Sequence, residues 1–367
     1  MIAEAKQMEM NEEPAKRSYK DKNGMDRNPE GKLTDAQMAS LRKFIERCNK
    51  LGPEGLLAEF ETIKQWNVWT EGNNLQDLAK IHHENPTKNR YKDIFCLDST
   101  RVAIGDDKGC DYINANWVRG EPYLNDFICT QVPLADTVID FWKMIIQHNV
   151  GYIIMLYFPS LNETKTVGDI KLTCVMLDVQ DHHFTFSTII VETNGNRKVV
   201  FHWQWNNWPD RGTPETSYAA LRALRISRAS RFNTVIHCSA GVGRTGTLIA
   251  AEHCIQQILQ CKQVDMAQMV KELRKMRAHA VQTGMQYCYV ALVVYRWLCM
   301  LTHPSDVPKK NLTQDDLEYQ KFSQEMKRLS GEIPREKGGT QGPAVTVAGG
   351  MEAPAAGATT PTPTPQA

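Results

Sequence analysis

The run Thr234-Val235-Ile236-His237-Cys238-Ser239-Ala240-Gly241-Val242-Gly243-Arg244-Thr245-Gly246-Thr247 leaves this backbone few choices. It reads as a strand, a tight loop of small residues and the start of a helix. Gly241 and Gly243 permit backbone angles that turn several N–H groups inward, which makes an anion nest. The following helix aims its positive end at the same place. A phosphate there would meet amides from below and the Arg244 guanidinium from the side, whose planar fork can hold two oxygens. The same field favours a thiolate at Cys238. Burial alone would explain Cys238 but none of the neighbouring glycines.

The same stretch also contains Gly241-Val242-Gly243-Arg244-Thr245-Gly246, a literal GxGxxG after a strand, with Asp265 about twenty residues on. A dinucleotide site would need Asp265 at the end of a second buried strand. Gln260-Cys261-Lys262-Gln263-Val264 is too polar for one, so the oxyanion cup is the better reading.

The chain has 367 residues and a formal net charge of +1, so no global field draws it to nucleic acid or anionic lipid. Its ten cysteines form no CxxC pair and no Cys/His ligand spacing, which argues against zinc and against a disulfide scaffold. The first residues are charged and lack the apolar core of a signal peptide. The longest apolar run, Tyr287 to Leu301, holds Arg296 and is short for a membrane span, so a buried helix is expected. Asn162 and Asn311 match glycosylation sequons only by chance on this reading. These features predict a cytoplasmic protein without a membrane span.

Residues 1–33 are polar and predicted to be disordered. Thr34 is placed to cap a helix through Met38, Leu41, Ile45 and Cys48, ended by Gly52-Pro53, and a second helix follows through Leu56, Phe60 and Ile63. From about Tyr91 to His237 the pattern is short strands. Ile153-Ile154-Met155-Leu156 suits a central strand, and Phe184 to Ile190 with Val199 to Trp203 suit antiparallel neighbours. Helical spacing then covers Leu248 to Leu259, Met266 to Met276 and Tyr287 to Leu301. Arg222, Arg225, Arg228 and Arg231 read as a solvated face. The expected architecture is one α/β domain over 34–303, a central twisted mixed sheet flanked by helices. Residues 304–367 are a charged segment, able to form one more helix, and a Pro/Thr/Ala/Gly-rich disordered tail.

Taken together, these residues resemble the protein-tyrosine phosphatases, in their tyrosine-specific branch. Asn89-Arg90-Tyr91-Lys92-Asp93-Ile94 resembles the phosphotyrosine-recognition loop, and Asp111-Tyr112-Ile113-Asn114-Ala115-Asn116 and Phe141-Trp142 match core motifs. Trp208-Pro209-Asp210 resembles the mobile acid-bearing loop, and Gln282-Thr283-Gly284-Met285-Gln286-Tyr287 the water-positioning loop. The resemblance implies hydrolysis of phosphotyrosine in proteins through a cysteinyl-phosphate. Cys238 would attack phosphorus, while Arg244 and the amides of Ser239, Ala240, Gly241, Val242 and Gly243 hold its oxygens. Asp210 would serve as general acid and then base, Gln282 and Gln286 would orient water, and Thr245 would bond the departing sulfur. His237 would tune the thiolate indirectly. Tyr91 would stack on the substrate ring and Asp93 would hold the peptide backbone. No metal or cofactor is implied, and the expected partners are phosphotyrosine proteins, with the terminal tails as a further binding surface.

Three departures stand out. Val132 replaces the usual Gly, which predicts a shifted turn, and Arg211 stands where His is usual. The stretch after Leu156 does not reproduce the usual Glu-containing loop. The rival reading is a phosphatase-like domain that binds phosphotyrosine with slow or absent turnover. A scaffold acting through the tail would leave Cys238, Arg244, Asp210, Gln282 and Gln286 unexplained.

Overall fold

The computed structural model describes residues 33–105, 109–155, 164–179, 181–209, 212–303 and 312–331. Among the described residues nine strands form one sheet: β1 (Arg101–Ala103), β2 (Tyr112–Val118), β3 (Phe127–Gln131), β4 (Val150–Met155), β5 (Thr164–Val167), β6 (Ile170–Asp178), β7 (Phe184–Thr193), β8 (Asn196–Trp205) and β9 (Asn233–Cys238). The longer helices are α1 (Asp35–Ile63), α2 (Val138–Gln147), α3 (Tyr218–Ala229), α4 (Arg244–Leu259), α5 (Met266–Met276), α6 (Gly284–Thr302) and α7 (Gln314–Ser330).

The strand order is β1-β2-β3-β9-β4-β8-β7-β6-β5. At its centre β3, β9, β4 and β8 run parallel, while both flanks are antiparallel. This is the expected mixed sheet. Parallel strands end at the same edge, so the segments that begin after β3, β9 and β8 converge there, outside the carboxyl ends of the strands. Both faces of β9 are covered, as a parallel centre requires. Val235 joins a cluster with Phe141, Trp142 and Ile145 of α2. Ile236 points to the opposite face, into the larger cluster built by α1 and by α3 to α7.

Local signals set several boundaries. Thr34 accepts from the Gln37 amide in a capping box, and the Gln37 side chain returns the bond to the Thr34 amide. The long first helix is kinked where Gly52 takes φ +62° before Pro53, the break read from the sequence. Asp265, the acid of the rejected dinucleotide reading, caps α5 by accepting from the Gln268 amide. Residues 260–264, directly before it, form no strand.

Two charged segments behave differently from their sequence reading. Arg228 is buried and pairs with buried Glu252 at 2.7 Å, and Arg222 pairs with Asp181 over the Phe184 ring. Only Arg225 and Arg231 keep the solvated position expected of all four. The helix α7 lies beyond the boundary placed at 303, yet it buries Phe322 and Met326 in the main core and contacts α6 and α1. Its remaining face is charged, which hid the docking stripe. Among the described residues no helix is long and apolar enough to cross a membrane.

Four histidines are held neutral by burial, which lowers His202 to about 3 and His237, His253 and His279 to about 4. Each folded pKa lies below the unfolded value near 6.5, so this stability is present above about pH 6.5 and lost as pH falls toward 4. The urea midpoint should therefore drop steadily between those limits. His253→Gln should flatten the drop by about 1–3 kcal/mol. An unchanged slope in that variant would mean His253 protonates freely in the fold.

Candidate active site

Cys238 closes β9 and is 3% exposed, with its Sγ accepting the Gly241 amide at 3.2 Å. Gly241 has φ +73°, and a Cβ there would lie 2.2 Å from the Thr130 carbonyl oxygen of the neighbouring strand. No side chain fits, and the left-handed angle favours glycine as well.

The loop's carbonyls explain its shape. The Val132 amide donates to the carbonyls of Cys238 at 2.9 Å and Ser239 at 3.1 Å. Arg277 donates from Nη2 to Ala240 at 3.0 Å and from Nε to Gly241 at 3.2 Å. The Val281 amide takes the Val242 carbonyl at 3.0 Å, and the Thr247 hydroxyl takes that of Gly243 at 2.9 Å. Every carbonyl from 238 to 243 is thus engaged, which frees the amides of the loop to face a bound anion.

Arg277 is the structural centre of this arrangement and was not singled out in the sequence. It is 1% exposed, and its Nη1 donates to Asn114 Oδ1 at 2.9 Å and Asn116 Oδ1 at 2.7 Å. Those two asparagines lie on one face of β2. Their amide groups continue outward, Asn114 to Asn89 and the Ile94 carbonyl, Asn116 to the Leu97 carbonyl and Thr100. The available signal was Asn-Ala-Asn in a buried strand: two polar side chains on one buried face need donors.

Arg244 opens α4 and is 5% exposed, with Nη1 donating to the Trp208 carbonyl at 3.1 Å. Trp208 packs against Trp205 and Tyr289, and its indole donates to the Gly212 carbonyl at 3.2 Å. Both feet of the loop around residue 210 are therefore anchored. Asp210 and Arg211 themselves lie outside the described residues, as does the divergent stretch 156–163.

The other singled-out residues take different stations. Gln286 is buried, and its Oε1 accepts the Gln282 amide at 2.9 Å. The Gln282 side chain overhangs the loop, with Oε1 only 2.5 Å from where a Cβ on Gly243 would sit. The Tyr91 and Ser239 hydroxyls are 2.8 Å apart, so the exposed phenol ring stands at the lip of the cup. Asp93 is exposed nearby on the same loop. The Thr245 hydroxyl is buried with no partner among the described residues and makes no bond to Cys238 in this state. His237 packs edge-on to Phe141, and its ring nitrogens meet no well-aligned partner among the described residues. The turn at Val132 is tied down: its N–H meets the loop, and Arg90 grips the Val132 and Pro133 carbonyls at 3.2 and 3.0 Å. Val132 is not among the residues with positive φ, so it fits without strain.

All ten cysteines are free. Burial pushes Cys96 up to about 11 and Cys129 up to about 12, and Cys96 spends its S–H on the Ala115 carbonyl. Such thiols are inert at neutral pH. Among the described residues Cys238 alone has a loop amide aimed at its sulfur.

The fold sets a buried thiol inside a loop of freed amides at the carboxyl edge of a mixed sheet, and comparison with known proteins is specific. The family described as protein-tyrosine phosphatase matches residues 85–296. The mouse tyrosine-protein phosphatase non-receptor type 20 is 32% identical over 278 residues, covering 68% of this chain and 62% of its own. The Arabidopsis thaliana protein-tyrosine-phosphatase PTP1 is 32% identical, covering 66% of this chain and 79% of its own. Human phosphatidylinositol phosphatase PTPRQ is 36% identical over 240 residues, which cover 59% of this chain and only 10% of that relative's length. Among solved structures, PTPN18 in complex with HER2-pY1196 phosphopeptides has a TM-score of 0.63 at 29% identity, covering 71% of this chain and all of that one. The chain belongs to the protein-tyrosine phosphatase family.

Two substitutions test the cup. Arg277→Lys keeps the charge but cannot reach four acceptors, so affinity for inorganic phosphate should fall about tenfold or more, the loss of one or two charged hydrogen bonds. Unchanged phosphate affinity would mean the loop holds itself. Gly241→Ala should cost about 2–4 kcal/mol in urea unfolding, from overpacking plus the left-handed angle.

Proposed function

We propose that this chain hydrolyses phosphotyrosine in proteins through a cysteinyl-phosphate on Cys238. The observation that carries the reading is the Gly241 amide 3.2 Å from the Cys238 sulfur inside a loop whose carbonyls all bond outward. Such a cup stabilises a thiolate and the equatorial oxygens of a phosphoryl group with the same dipoles.

In the first step the Cys238 sulfur attacks phosphorus in line, forming S–P as the phenolic O–P bond breaks. Arg244 and the loop amides hold the oxygens on which charge collects. Asp210, carried two residues beyond the carbonyl that Arg244 holds, gives its proton to the departing phenolate. In the second step water attacks phosphorus, Asp210 takes the water proton, and the S–P bond breaks to restore the thiolate. Gln282, over the loop, and Gln286, which holds the Gln282 main chain, orient that water. Thr245, whose hydroxyl has no partner among the described residues, is available to the leaving sulfur.

Tyr91 supports the choice of substrate. A phenol ring anchored at the lip gives a substrate ring a stacking wall and makes the cup deep, so a phosphoserine falls short of Cys238. Asp93, exposed beside it, is placed for the peptide main chain. The terminal tails are a further surface for partners on this reading, and a cytoplasmic setting suits the ten free thiols.

The purified chain should hydrolyse a phosphotyrosine peptide without added metal, and much faster than a phosphoserine peptide or a phosphatidylinositol phosphate. Cys238→Ser should abolish turnover yet still bind the phosphotyrosine peptide. Substantial residual hydrolysis by that variant would sink the covalent mechanism, and peptide binding by wild type without hydrolysis would identify a binding module. Asp210→Ala should lower kcat by about two to four powers of ten with a poor leaving group and far less with an activated aryl phosphate. Equal losses on both would make Asp210 structural.

A further inference from the structure

Arg274 sits one turn before Arg277 and is 2% exposed, a buried guanidinium that the mechanism above does not use. All its hydrogen bonds among the described residues end on main-chain carbonyls, in two groups. Nη1 donates to Ile63 at 2.7 Å, Lys64 at 3.2 Å and Trp66 at 2.7 Å, the carbonyls at and just past the end of α1. Nε and Nη2 donate to Ala280 at 3.0 Å and Val281 at 2.9 Å. The second group immediately precedes Gln282. Burial lowers Arg274 to about 10, so it stays charged at neutral pH.

The segment it holds is strained. His279 and Val281 both have φ +62°, and a β-branched residue in that region persists only where its surroundings enforce it. Three contacts do so. Arg274 takes the Ala280 and Val281 carbonyls, Asn67 Oδ1 accepts the His279 amide at 2.9 Å, and the Val281 amide bonds the Val242 carbonyl of the phosphate loop. Asn67, like the carbonyls of Ile63 and Trp66, belongs to the end of α1 or the turn after it.

We propose that Arg274, with Asn67, is a positioning residue for the second chemical step: it locks the 279–281 segment so that Gln282 stays above the phosphate loop. This rests on the reading of Cys238 and Gln282 given above. In that step the water O–P bond forms while the S–P bond breaks, and the water proton passes to Asp210. Arg274 touches none of these atoms. It acts through the Val281 carbonyl and the residue that follows. Formation of the cysteinyl-phosphate needs Cys238 and Arg244 in a loop whose other five carbonyls are held by Val132, Arg277 and Thr247, and whose Val242 carbonyl keeps the Gly246 amide as a second donor, so that step should be largely spared.

The test is a rapid-mixing experiment on the full chain with an activated aryl phosphate, following phenolate release. In Arg274→Lys the ammonium cannot span both carbonyl groups. Its first-turnover rate should stay within about threefold of wild type while steady-state kcat falls about tenfold or more, with KM falling alongside, because only water attack has lost its alignment. Asn67→Ala removes the bond to His279 and leaves Arg274 in place, so it should give the same split at about threefold, which keeps the test open should Arg274→Lys fold poorly. Equal losses in the first turnover and the steady state, in either variant, would overturn the assignment and leave Arg274 merely structural. A wild-type chain that releases no phenolate would instead overturn the hydrolase reading itself, and this proposal with it.

Discussion

A phosphate-binding loop can turn its amides inward only if its carbonyls find donors on the outside, and the rest of this structure depends on meeting that demand. Six consecutive carbonyls, from Cys238 to Gly243, are taken by the Val132 and Val281 amides, the Thr247 hydroxyl and the Arg277 guanidinium. A buried carbonyl left without a donor costs roughly 1–3 kcal/mol. Leaving several so would favour a relaxed loop with the nest destroyed. The cup is therefore held from behind, by groups that never touch the anion.

That support spreads through the fold. Arg277 stands on Asn114 and Asn116 of β2, and these reach Asn89 and the Ile94 and Leu97 carbonyls. The loop bearing Tyr91 and the loop bearing Cys238 thus share one buried hydrogen-bond network. Arg244 joins the cup to Trp208, at the foot of the segment that carries Asp210. Arg274 joins the Gln282 segment to the end of α1. Three arginines near one site have three separate jobs, because a guanidinium offers five donors in a fixed fork where a lysine offers a point charge.

The parallel centre of the sheet makes this convergence possible. With β3, β9, β4 and β8 pointing the same way, the Val132 turn, the Cys238 loop and the Trp208 segment meet at one edge. In β3 and β9, Gln131 stands opposite Cys238, so the Val132 amide arrives directly beside the loop it caps. Replacing the usual glycine by Val132 leaves this intact, because the bond uses only main-chain atoms at a negative φ.

Signals confined to a few neighbouring residues were legible in the sequence by itself. The strand, small-residue loop and helix around Cys238, the Thr34 cap, the break at Gly52-Pro53 and the polarity that denied a strand before Asp265 all act over a turn or two of chain. Periodicity likewise exposed the buried central strands and the apolar helix ending near Leu301. Tertiary structure alone decided what became of charges. Arg228, Arg274 and Arg277 look like ordinary solvated helix residues, yet each is buried, and the partners of Arg277 on β2 are more than a hundred residues away in the chain. The same holds for α7, whose charged surface concealed Phe322 and Met326. A backbone turn is chosen by local sterics, which a short sequence states directly. Burying a guanidinium is favourable only where distant segments deliver enough oxygen atoms to one point, and only the folded chain brings them there.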